Sequence, residues 1–141
     1  MGLHPQAILS VMLLVLDLLR RGYRVAISTH SPLVLDIIWA LKKLQQWHEY
    51  VKESDVLKLF GGLSINKVTY AIARAALSKD YRVYYMNDQA GEGAVAQDIS
   101  ALDPGAEEES MSGWGGLTGI SSQISNVIGR IAAQVDAEDD T

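Results

Sequence analysis

The sequence predicts an α/β chain, and three observations carry that expectation. The apolar run AILSVMLLVLDLLRR, residues 7–21, repeats at helical spacing and ends on a basic pair before Gly22. A short β-branched run, YRVAIS at 23–28, follows that glycine at once. A second helical pattern, 32–50, opens at Ser31-Pro32. Helix, strand and helix in this order form an α/β repeat, which implies a parallel sheet.

Each element has a local cause. Pro5 opens the first helix, 5–21, because the N–H it lacks would be unbonded there anyway. Ile8, Val11, Met12, Val15, Leu16 and Leu19 form one face, and Leu13, Leu14 and Leu18 add a second. Such a helix needs cover almost all round. Arg20 and Arg21 suit its negative end and Gly22 its C′ position. Ser31 is the expected N-cap of helix 32–50, with Leu33, Ile37, Leu41 and Leu44 inward and Val34, Ile38 and Trp47 nearby. Trp39 and Trp47 stand eight apart on similar faces, in core or interface.

A short helix at 53–60 is expected before Gly61-Gly62. Ser64 is the expected cap of helix 65–79, with Ile65, Val68, Ile72 and Ala76 inward. YRVYYMN, 81–87, and AVAQDIS, 94–100, flank the turn DQAGEG, 88–93, as a β-hairpin. The acidic, glycine-rich stretch 103–116 reads as a loop. Leu117, Ile120, Ile124, Val127, Ile128, Ile131 and Val135 set a last helix, 117–135, before a solvated acidic tail, 136–141.

Composition narrows the function classes. The 141 residues, 48% of them hydrophobic, suit one domain spanning 1–141 rather than a disordered chain. A chain this long buries roughly 68% of its unfolded surface. A net charge of −5 argues against a nucleic-acid surface over the whole molecule. The absence of cysteine removes disulfides, thiolate nucleophiles and Cys-type zinc sites, and suits a cytoplasmic interior. Ser10 and Asp17 interrupt the most apolar run, which falls short of the ~20 residues of a membrane span. No basic start or cleavage site marks a signal peptide.

GLHPQAILSVMLLVLDLLRRGYRVAISTHSPLVLD, residues 2–36, resembles the C-terminal part of an ATP-binding-cassette-like ATPase domain. The nearest group is the AAA-labelled ATPases related to chromosome-maintenance, DNA-repair and phage-defence families. The resemblance implies a truncated P-loop NTPase-like half domain. It makes Gly2, Leu3, His4 and Pro5 a D-loop-like segment, which in relatives crosses a dimer interface. It makes His30 the switch histidine, the catalytic position beside a γ-phosphate, and puts Ser28 and Thr29 near the nucleotide. Beyond residue 36 the match is only in outline.

The pattern also departs from that family. The sequence holds no G-x-x-x-x-G-K-[ST] run and no signature loop, and the acidic Walker B residues would lie just before Met1. ATP and Mg²⁺ are therefore expected only when the missing half is supplied, and the isolated chain is expected to be inactive. Its partner is a missing-half ATPase subunit or a second copy of the chain, with nucleic acid a possibility for the parent alone.

Plainer readings stand beside these. His30 at the end of a strand can hydrogen-bond its own turn, and Ser28 can satisfy backbone groups. His4-Pro5 can be a simple helix start. His4, His30 and His48 lack metal spacing, so no metal is expected. Asp98 with Asp103, and the run Glu107 to Glu109, suit solvated positions. A non-catalytic protein that self-associates through apolar surfaces is the alternative function.

Overall fold

The structure, a computed structural model, describes residues 4–61, 63–89, 93–100 and 122–139. Its elements are α1 (Pro5–Arg20), α2 (Pro32–Gln46), α3 (Glu53–Lys58), α4 (Lys67–Ser78), β1 (Tyr84–Gln89), β2 (Gly93–Asp98) and α5 (Ser122–Asp139). Helix dominates, and the sheet is a two-stranded antiparallel hairpin. The expected parallel sheet does not form among the described residues.

The strand expected at 23–28 is absent. A strand needs a neighbour for its N–H and C=O groups, and among the described residues β1 and β2 pair only with each other. The N–H groups of residues 24–30 make no backbone hydrogen bond to a described residue. The segment is an exposed connector instead, with only Val25 half-buried.

One core joins the five helices. Ile8, Met12 and Leu16 of α1 meet Ile37, Ala40, Leu41 and Leu44 of α2 and Val56 and Leu57 of α3. Ile72, Ala73 and Ala76 of α4 and Ile124, Val127, Ile128 and Ile131 of α5 complete it. α1 packs chiefly on α4, while α5 covers α2 and α3. The expected all-round cover of α1 is only partial. Leu13 rests on the core and Leu18 is half-buried, but Val11 and Leu14 face solvent.

The helix ends show which local signals act. At the end of α1, the Tyr23 N–H donates to the Leu18 carbonyl and the Gly22 N–H to the Leu19 carbonyl, both at 3.0 Å. Gly22 holds φ at +92°, so this is the Schellman arrangement that glycine permits. α2 stops at Gln46, not residue 50, because the chain turns there. The Tyr50 N–H donates to the Trp47 carbonyl at 2.8 Å, and both rings pack on the core.

α4 starts later than expected. Asn66, not Ser64, is its cap, and Asn66 Oδ1 accepts from the Val68 and Thr69 N–H groups at 2.9 and 3.0 Å. The expected inward positions Ile65 and Val68 are exposed. Ile65 precedes the helix, and only Ile72 and Ala76 of that set reach the core.

β1 begins at Tyr84 rather than residue 81, in register with Asp98, and the pairing ends with Gln89 opposite Gly93. Tyr81 is drawn into the core, where its hydroxyl donates to the Ala76 carbonyl at 2.6 Å. The pairing runs on past β2, since the Ile99 N–H donates to the Val83 carbonyl at 2.9 Å. Ile99 seeds a small second cluster with Leu35, Ile38, Trp39 and Val83.

Residues 136–139 are helical, so the acidic end is not a free tail there. No glycine or proline interrupts residues 130–139, and the helix runs on with exposed Asp136, Ala137 and Glu138. The expected loop at 103–116, Leu117 and Ile120 lie outside the described residues.

Candidate functional site

The residues that carry the resemblance lie in two places. Gly2 and Leu3 lie outside the described residues. Pro5 is the first residue of α1 and His4 is its cap, with His4 Nδ1 accepting from the Gln6 N–H at 3.3 Å. The imidazole thus takes the capping role usual for a short polar side chain.

Ser28, Thr29 and His30 all lie on the exposed connector between α1 and α2. The expectation of His30 at the end of a strand is corrected with the strand itself. Thr29 shapes the turn, its Oγ1 accepting from the Ser31 N–H at 2.9 Å. Ser31 is the residue before α2, as expected, but its side chain makes no capping hydrogen bond. No hydrogen bond or ion pair joins His4 to His30 among the described residues.

A triphosphate needs a cradle of backbone N–H groups, usually at a glycine-rich turn into a helix. The connector enters α2 through Pro32, which has no N–H, and carries no such turn.

Asp36 is the group that the sequence reading left without a role. It stands on the inner side of α2 at 0% exposure, and neither carboxylate oxygen has a hydrogen-bond partner among the described residues. Burial raises its pKa to about 6. Trp39 Nε1, one turn further on, is also buried without a partner among the described residues. The signal was present in the spacing, since Asp36, Ala40 and Leu44 fall four apart on one helix face.

Three other acids are held by neighbours. The Arg20 guanidinium donates to Asp17 Oδ1 at 2.7 Å and, with Arg21, keeps this carboxyl below its ordinary range. Asp98 is lowered by its hydrogen bonds with Ser100, the Ser100 N–H donating at 2.8 Å. Asp55 is buried on α3 and bonded by Arg130 of α5. Its Oδ2 also accepts from the Lys52 N–H at 2.9 Å.

Depressions among the described residues include the following two. One, about 320 Å³, lies along α4 over Ile65, Asn66, Lys67, Tyr70, Ala71 and Arg74. The Tyr70 hydroxyl donates to Glu53 Oε2 at 3.0 Å, and the Arg74 guanidinium sits 5.6 Å over the Tyr70 ring. The other, about 180 Å³, lies over α3 and α5. Neither contains Ser28, Thr29 or His30. Among the described residues no three His, Asp or Glu side chains converge as metal ligands, and no helix is long and apolar enough to cross a membrane.

No family model matches the chain, and neither the curated proteins nor the solved structures contain a match.

Proposed function

We propose that the chain is the C-terminal portion of an ATP-binding-cassette-like ATPase domain, with its phosphate-binding half supplied by further polypeptide. One observation supports this reading above the others. Between two well-formed helices, the connector YRVAISTH exposes Tyr23 and Ile27 and leaves the N–H groups of 24–30 without backbone partners among the described residues. A run with this composition gains most by pairing with strands. Strands of the missing half would take up those groups and bury those side chains. They would also turn His30, at the end of the run, toward the bound nucleotide. ATP and Mg²⁺ belong to that completed assembly.

The experiment is complementation. Mixing the chain with a polypeptide that carries a Walker A lysine and Walker B acid should restore ATP hydrolysis. His30→Ala in this chain should abolish it. Hydrolysis unaffected by His30→Ala would remove the switch role.

A second reading is supported by exposed apolar side chains. Val11, Leu14, Ile65 and Val68 are each more than two-fifths exposed on or beside packed helices. Self-association would cover them without any catalysis.

A further inference from the structure

We propose that the depression between α3 and α5 binds a phosphate group. Lys52, Lys58 and Arg130 line it together with Ser54, Gln134 and the carboxylate of Asp55. Three cations thus face one acid, in a chain whose net charge is −5.

The acid is already engaged. One oxygen accepts from Arg130 and the other from the Lys52 backbone N–H. Lys58 Nζ stands 4.0 Å from Asp55, at the limit of an ion pair. Glu53, the nearest further acid on α3, is committed to α4, where Tyr70 bonds it and Arg74 lies 3.9 Å away. Among the described residues Lys52 Nζ forms no ion pair and Lys58 meets Asp55 only at that limit, beside a volume of about 180 Å³, which is room for a phosphate and ordered water.

The remaining donors fit the same ligand. A guanidinium has five N–H donors, so Arg130 keeps donors after bonding Asp55. The Ser54 hydroxyl and the Gln134 amide can donate to further phosphate oxygens. Charge-assisted bonds of this kind are the strong ones, but Lys52 and Lys58 are exposed, so solvent screens them. A weak dissociation constant, about 1–10 mM for free phosphate, is the expected result.

The test is a titration of the ¹⁵N-labelled chain with sodium phosphate, against sodium chloride at matched ionic strength. Saturable shifts at the Ser54 and Arg130 amides are expected. The double variant Lys52→Gln, Lys58→Gln, both exposed positions that spare the Asp55–Arg130 pair, should weaken binding about tenfold, the loss of roughly one charge-assisted bond. Glycerol phosphate distinguishes the sources. Tighter binding than inorganic phosphate marks a phosphomonoester site, and equal or weaker binding marks a site for the free ion. No saturation by about 50 mM phosphate, well above the expected constant, overturns the proposal. So does unchanged affinity in the double variant. His30→Ala should leave this binding intact, which separates it from the nucleotide reading.

Discussion

Arg130 of α5 bonds the buried carboxylate of Asp55 on α3, across 75 residues of sequence. Asp55 is 5% exposed, while the Arg130 side chain is about half exposed. The pair pins the last helix to the short one through a group that cannot be left alone in the core. Arg130→Ala should destabilise the fold by about 2 kcal/mol, the cost of stranding a buried acceptor. Urea unfolding measures it, and Asp55→Asn with Arg130→Ala should cost less than the two single changes summed.

Asp36 makes stability depend on pH in the opposite sense to most carboxylates. Its folded pKa is raised from 3.8 to about 6, so the folded state holds the proton more tightly than the unfolded one. The favourable contribution is complete below pH 3.8 and is lost as pH rises through 6. Across that window the loss is about 3 kcal/mol. Asp36→Leu should therefore stabilise the chain at pH 7.5 and flatten the difference in unfolding midpoint between pH 4 and pH 7. An unchanged difference would show that the carboxylate finds a partner in solution.

The Ala76 carbonyl has two donors, the Tyr81 hydroxyl at 2.6 Å and Gln45 Nε2 at 3.1 Å. Tyr81→Phe removes one and leaves the acceptor bonded, so the cost should stay near 1 kcal/mol. Gln45 also donates to the Lys79 carbonyl at 2.7 Å, beyond the end of α4. Gln45→Ala should cost about 1–2 kcal/mol, since two carbonyls lose a donor. Thermal unfolding of the two variants gives the order.

The chain alone should release no phosphate from ATP above background. His30 stands exposed on a connector without a glycine-rich turn, and the sequence carries no Walker lysine. A steady-state phosphate assay on purified protein checks this, and release that disappears in His30→Ala would overturn it.

Self-association should respond to α1. Leu14 is 59% exposed, whereas Leu13 packs on the core. If two copies cover this face, Leu14→Glu should shift sedimentation equilibrium toward the 15.4 kDa monomer with helicity retained. Leu13→Glu should instead unfold the chain. A wild-type monomer at micromolar concentration would end the dimer reading.

Local chemistry was legible in the sequence wherever it acts within a few residues. Pro5, Gly22 and Pro32 punctuate the helices as read, and the spacing of Ile37, Leu41 and Leu44 marked the buried face of α2. The hairpin was legible from two β-rich runs about a glycine turn. The capping of α4 was misplaced by two residues, because Ser64 and Asn66 are both good caps and only geometry chooses between them.

By itself the sequence determined the helices, since capping and apolar periodicity are properties of neighbouring residues. Only the tertiary structure decided the fate of residues 23–30. Their β-branched pattern states a preference for pairing, but a strand exists only where another backbone meets its N–H and C=O groups. The same holds for Asp36 and Asp55, two acids on helix faces. Arg130 arrives from 75 residues away to bond Asp55, no donor among the described residues reaches Asp36, and long-range packing alone sets that difference.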